Sequence, residues 1–276
     1  MRSDYVFPYS IGFTHAGSFH SDDVFATAFL KILNPNIEII RGFQVPKDFA
    51  GIVYDIGDGE FDHHSKNREL RVNGVPYAAF GKLWRKFAPN IVSDTVVKAV
   101  DKELVMPLDY TDNYGKPNPL SSVIYNYNAF WTENGSFDEQ NKRFFEAVEI
   151  AKMFLLRYID KFEVVEQAED YLNECYKKSV NGVVVLDKYA PWQDKYKKYE
   201  DVKVVIYPSN RGGWNVERVE NHGFEFPEEW WGTRGVVGVN GLTFCHATGF
   251  MTCFKDRESA VNNINKLLAE TGCKDA

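Results

Sequence analysis

The sequence predicts an α/β protein with a mainly parallel-sheet N-terminal domain, a long connecting helix and a smaller α/β or α+β C-terminal domain. Three observations carry this reading. Short apolar runs alternate with helical patterns through the first half, as strands joined by crossover helices do. One long amphipathic stretch, SFDEQNKRFFEAVEIAKMFLLRYIDKF, separates the halves. Four more β-like runs and a helical pattern follow it. The expected divisions are 1–135, 136–165 for the connecting helix, and 166–276.

The elements follow in order. IGFTH (Ile11 to His15) reads as a strand and DDVFATAFLKIL (Asp22 to Leu33) as a helix, which Asn34-Pro35 ends. IEII (Ile37 to Ile40) and GIVYDIG (Gly51 to Gly57) read as strands, and YAAFGKLWRKF (Tyr77 to Phe87) as a helix. A helix from Asp94 to about Leu104 is expected to run into DYTDNYGKPNPL, whose Asn, Gly and Pro content marks a loop. Ser136 and Glu139 form a capping box ahead of the long helix. Beyond it, GVVVLD (Gly182 to Asp187), VKVVIYP (Val202 to Pro208), WNVERV (Trp214 to Val219) and LTFCHA (Leu242 to Ala247) read as strands. KDRESAVNNINKLLAE reads as a helix.

A chain of 276 residues that is 44% hydrophobic can bury one large core or two moderate ones, and two is the expectation. No stretch approaches the roughly 18 apolar residues of a membrane span, and MRSDYVFPYS has no apolar signal core. The expectation is a soluble, cytoplasmic protein, compatible with an oligomer. Cys175, Cys245, Cys253 and Cys273 include no CxxC pair and read as free thiols. A net charge of -7 opposes a basic groove for long duplex DNA.

Two short segments concentrate the chemistry. THAGSFHSDD (Thr14 to Asp23) and VYDIGDGEFDHH (Val53 to His64) hold four of the six histidines, His15, His20, His63 and His64. Imidazoles and carboxylates gathered at strand ends suit a divalent transition metal. Asp22 and Asp23 taken alone would be ordinary acidic residues in a first helical turn, but that does not account for the neighbouring histidines. Asp55 ends a strand, where α/β sheets place their sites, and Asp62-His63-His64 follows a Gly-Asp-Gly turn. If Asp22, Asp55 and a loop aspartate meet without a cation, repulsion raises at least one pKa. Asp109 and Asp112 read either as turn aspartates or as the source of a last ligand.

The order H-x-G-x-F-H-x-D (His15 to Asp22), Asp55, DHH (Asp62 to His64) and D-x-x-D-N (Asp109 to Asn113) resembles the DHH phosphoesterase superfamily. Within it, the chain is most similar to the melanocyte-proliferating-gene family of DHH-like exonucleases. The likeness runs nearly end to end through VVVLDKYAPWQ (Val183 to Gln193), YPSNRGGWNVERV (Tyr207 to Val219) and FCHATGFMTCFKDRESAV (Phe244 to Val261). The resemblance implies two divalent ions, Mn2+ or Mg2+, and hydrolysis of phosphodiester or phosphoanhydride bonds. It implies His15, His20 and Asp22 as ligands, Asp55 as the bridging carboxylate, and His63 as a ligand oriented by Asp62. His64 would face the substrate phosphate or the second ion, and the last ligand would be Asp109 or Asp112. Many superfamily members have aspartate where this chain has His20, which implies a second ion held differently or more weakly.

In the second domain His246, read alone, is a satisfied histidine at a strand end, whereas the resemblance implies phosphate or nucleotide contact by His246 and Gly249. Arg211, beside Gly212 and Gly213, offers a guanidinium and free amides to phosphate, or forms a plain hairpin turn. Arg234 stands near Trp231, where the family leads one to expect an arginine. The expected function is exonuclease-type hydrolysis of RNA or short oligonucleotides, with the second domain clamping the substrate. The rivals are a phosphatase or pyrophosphatase acting on small nucleotides or pyrophosphate, and a non-catalytic nucleotide- or RNA-binding module with a structural metal. The acidic balance favours the former rival.

Overall fold

The computed structural model describes residues 4–65, 68–116, 118–133 and 135–272. Cys273 lies outside them. The chain forms two compact units, Met1–Glu163 and Val164–Ala276. The first holds a parallel three-stranded sheet and the second a mixed five-stranded one.

In the first unit, β1 (Ile11–His15) lies between β2 (Glu38–Gly42) and β3 (Ile52–Val53), parallel to both. A central strand is covered on both faces, so Gly12, Phe13 and Thr14 are all buried and the run does not alternate. β3 is short, but pairing continues through the Tyr54 amide, which donates to Phe13 O at 3.1 Å. Because β1 and β3 are parallel, their carboxyl ends share one edge, which brings His15 beside Asp55.

The helix α1 (Ser21–Leu33) follows β1 and buries Val24, Phe25, Ala26, Ala28, Phe29 and Leu30. Its Phe29 ring meets Trp84 of α2 (Ala79–Phe87) at 5.1 Å between centroids. Burial of such side chains stabilises by about 1.5–3 kcal/mol each, which anchors the start of α1 and the aspartates in its first turn.

The expected loop at Asp109–Leu120 is largely helical. α3 (Asp94–Val100) passes through a π-helical turn (Asp101–Val105) into α4 (Met106–Tyr114), and α5 (Pro119–Tyr125) follows. The π turn accommodates the proline: Met106 N donates back to Asp101 O, and Pro107, without an N–H, comes next. Gly115 closes α4 with left-handed backbone (φ 61°), and Asn118 Oδ1 caps α5 by accepting from Leu120 N and Ser121 N. The turn-forming residues thus punctuate two helices rather than fill one loop. Asp109 and Asp112 stand three residues apart on α4.

The helix α6 (Phe137–Lys177) is longer than expected, and Glu139 N donates to Ser136 Oγ at its start. In the second unit the strand order is β4 (Val183–Val185), β5 (Val204–Pro208), β6 (Trp214–Arg218), β8 (Met251–Phe254) and β7 (Leu242–Cys245). Only β4 and β5 pair in parallel. The short helix α7 (Gln193–Tyr196) lies between β4 and β5 in the chain, and α8 (Arg257–Gly272) follows β8. Sequence reading missed β8, which pairs with β7 after the glycine turn at Gly249.

Candidate metal centre

His15, at the end of β1, donates from Nδ1 to Ala16 O at 3.1 Å. That bond turns Nε2 toward the carboxylates, 3.1 Å from Asp23 Oδ2 and 3.2 Å from Asp55 Oδ2. A backbone carbonyl on one imidazole nitrogen is the usual way to aim the other at a metal. Asp55 has left-handed backbone (φ 57°), a conformation aspartate tolerates but that costs energy. It puts the carboxylate in the middle, with Oδ2 on His15 and Oδ1 3.2 Å from His63 Nδ1. Asp55 is therefore the residue shared between neighbouring ligand groups.

His63 is buried and touches carboxylates with both nitrogens, Nδ1 with Asp55 and Nε2 with Asp112 Oδ2 at 2.7 Å. Asp62 does not orient His63. Its Oδ1 accepts from His64 Nδ1 at 2.7 Å and its Oδ2 from Asp58 N at 2.7 Å, so it orients the exposed His64 and closes the loop. His20 is the loosest member, with Nδ1 3.8 Å from Asp112 Oδ1. Among the described residues, three sets of donor atoms are each close enough to hold an ion: His15, Asp23 and Asp55; Asp55, Asp62, His63 and His64; and His20, Asp22 and Asp112.

Asp109 does not join them. Its Oδ2 is paired with Arg71 at 2.7 Å, and its Oδ1 accepts from Gly81 N at 3.1 Å. Burial pushes this carboxyl up to about 7 despite Arg71. One helical turn on, Asp112 points to the cluster. Asp23 is the residue sequence reasoning missed. Its place beside Asp22 was the only signal, and a helix-dipole role explained it equally well. Its Oδ1 accepts from His20 N at 2.9 Å while Oδ2 meets His15.

The electrostatics of the cluster call for a cation. Both Asp22 oxygens are buried with no hydrogen-bond partner among the described residues. Burial, then Asp55, Asp112 and Asp23, push its pKa well above the ordinary value. Burial alone would raise Asp55 too, but His15 and His63 outweigh it and hold its pKa at about 2. Burial opposes charging of the histidines, yet Asp23 and Asp55 lift His15 to about 11, and Asp112 and Asp55 lift His63 to about 9. Protons on imidazoles thus supply the positive charge that an ion would supply. The donor set fits a divalent metal: carboxylate oxygens, aimed imidazole nitrogens and one carboxylate whose oxygens have no other partner.

In the second unit Arg211 sits in the turn between β5 and β6, where Gly212 and Gly213 have φ of 90° and 75°. A cavity of about 570 Å³ is lined by Arg211 and Arg234 together, with Asn215, Thr243 and Cys253. His246 does not line it. Its Nδ1 accepts from Thr248 N at 3.2 Å, its Nε2 has no hydrogen bond among the described residues, and its ring packs on Phe250. Gly249 has a packing reason: a Cβ there would fall 2.3 Å from the Trp231 ring, and its amide donates to His246 O.

A family model named MYG1_exonuc and described as an uncharacterised protein family (UPF0160) matches residues 11–268. The chain belongs to this family. The MYG1 protein of Dictyostelium discoideum is 26% identical, over 90% of this chain and 93% of its own length. The MYG1 exonucleases of Mus musculus and Homo sapiens are each 27% identical over 98% of this chain, and over 87% and 88% of their own lengths. No solved structure matches. Relatives named exonucleases over nearly the whole chain suggest a nuclease-type hydrolase for this MYG1_exonuc member. Among the described residues, no helix is long and apolar enough to cross a membrane.

Proposed function

We propose that this chain is a metal-dependent phosphodiester hydrolase with the DHH phosphoesterase layout, which removes nucleotides from an end of RNA or of short oligonucleotides. The observation that carries the reading is Asp22, a buried carboxylate with no hydrogen-bond donor among the described residues, beside Asp23, Asp55 and Asp112 in a family whose relatives include named exonucleases. Two divalent ions, manganese before magnesium because imidazole suits the later transition metals, are held by His15, His20, Asp22, Asp23, Asp55, His63 and Asp112. The chemistry they supply when bound is Lewis-acid polarisation of the phosphoryl group and acidification of water.

The chain's own residues do the rest. Asp55 joins the two ligand groups. His64 is exposed beside them, and Asp62 fixes its Nδ1 proton, so Nε2 is the atom that meets a substrate oxygen or carries a proton. Arg211 and Arg234 offer guanidinium groups to a phosphate, and Gly249 shapes the turn that presents His246.

The net charge of -7 favours a second reading, a phosphatase or pyrophosphatase for small nucleotides. Manganese-loaded protein incubated in parallel with end-labelled RNA, DNA, a dinucleotide and pyrophosphate separates the two. Stepwise shortening of the labelled strand is expected. Release of phosphate from pyrophosphate alone would establish the second reading, and metal binding without turnover of any substrate would reduce the site to a structural one.

A further inference from the structure

A cavity of about 540 Å³ adjoins the metal cluster on the side formed by the end of α4 and by α5, and shares His20 and Asp112 with it. Whatever enters it therefore lies beside the ligands. Its volume falls within the range of small-molecule sites, roughly 300–1,000 Å³. One wall is the ring of Tyr125, a residue 56% exposed despite its aromatic side chain. That ring lies parallel to the His20 ring within 7°, with centroids 6.5 Å apart.

The remaining chemistry of the cavity is polar. The side chains of Lys116 and Asn126 line it and have no hydrogen bond or ion pair among the described residues. Ser122 spends its proton on Asn118 O, which leaves its oxygen as an acceptor. Asp112 is the sole acidic lining residue, and it belongs to the cluster. A flat aromatic face, an amide that both donates and accepts, and an unpaired ammonium together match a planar heterocycle with a hydrogen-bonding edge and an attached phosphate.

We propose that this cavity seats the terminal nucleobase of the strand being cut, with Tyr125 as its stacking platform and Lys116 on a neighbouring phosphate. This rests on the hydrolase reading above and adds to it the group by which a strand end is recognised. Stacking on an aromatic face tolerates every base, so the site reads a base's presence rather than its identity. It also gives His20 a reason to be an imidazole: it is the most weakly held of the cluster and the one whose ring faces Tyr125.

The test uses the manganese-loaded full chain and oligonucleotides of one length, with ordinary or abasic end residues. Tyr125→Ala should raise KM roughly ten-fold on ordinary ends, about the size of one base–aromatic stack, and leave KM on abasic ends unchanged. Tyr125→Phe should restore wild-type behaviour, and Tyr110→Ala, an exposed tyrosine of α4 outside the cavity, should match wild type. Equilibrium binding of a dinucleotide to the same variants reads the cavity without turnover. Equal losses on both kinds of end, or no rescue by phenylalanine, overturn the assignment. Cleavage with Tyr125-independent dinucleotide binding overturns the cavity and keeps the hydrolase. Tyr125-dependent binding without cleavage keeps the cavity and overturns the hydrolase, and absence of both overturns both.

Discussion

Gly81 and Asp109 are in direct contact. The Gly81 amide donates to one carboxylate oxygen at 3.1 Å, and a Cβ on Gly81 would fall 1.8 Å from the other. This contact, with Arg71, fixes α4 against α2 and so sets where Asp112 stands. Gly81→Ala should cost about 1–3 kcal/mol, as overpacking does, and weaken metal binding without removing any ligand. Thermal unfolding with calorimetric metal titration checks it, and a variant with wild-type Tm and affinity would show that α4 is held elsewhere.

Arg71 carries the same argument from the other side. It bonds Asp101 and Asp109 and lies over Tyr77. Arg71→Ala leaves Asp109 buried without its partner, a loss of about 3–5 kcal/mol when one half of a buried pair is removed. Denaturant unfolding should show it, with partial recovery when Asp109→Asn is added. A double variant no better than the single one contradicts the pairing.

Asp22 and Asp55 should behave oppositely in metal-free protein. Burial and its neighbours push Asp22 well above its ordinary pKa, so Asp22→Asn should raise the Tm of chelator-treated protein. Asp55 is held at about 2 by His15 and His63, so Asp55→Asn should lower stability by on the order of 2 kcal/mol at neutral pH. Both should lose hydrolysis and metal. Equal Tm changes of one sign would contradict the electrostatics.

The pH dependence follows from the same groups. His63 is raised from 6.5 to about 9, so its contribution to metal-free stability is fully present below pH 6.5 and lost as pH rises through about 9. Asp55, lowered from 3.8 to about 2, contributes above pH 3.8 and loses its share as pH falls through 2. Ligands must shed protons to take an ion. Metal affinity should therefore rise from pH 6.5 to 9 while metal-free Tm falls, and calorimetry in buffers of different ionisation enthalpy should show protons released. Affinity that is flat across that range would remove His63 from the ligands.

For the second unit, His246→Ala should keep full metal stoichiometry and raise KM with little change in kcat, and Arg211→Ala should do so more mildly. Loss of an ion in His246→Ala, or unchanged kinetics in both, would end the phosphate-binding role.

By itself the sequence determined which chemistry gathers where. A strand end followed by a helix start puts His15, Asp22 and Asp23 within a few residues, and Asp55 to His64 is one continuous segment, so local patterning was enough to mark both. The choices among neighbours came only with tertiary structure. Whether Asp109 or Asp112 reaches the cluster depends on the phase of α4, which is set by Arg71 and Gly81, 38 and 28 residues earlier. Asp23 gained its role because parallel pairing of β1 with β3 placed His15 between it and Asp55. Asp62 serves His64 rather than His63 because His63 is already held by Asp55 and Asp112. Each of these depends on side chains brought together from distant positions, and no local periodicity encodes that proximity.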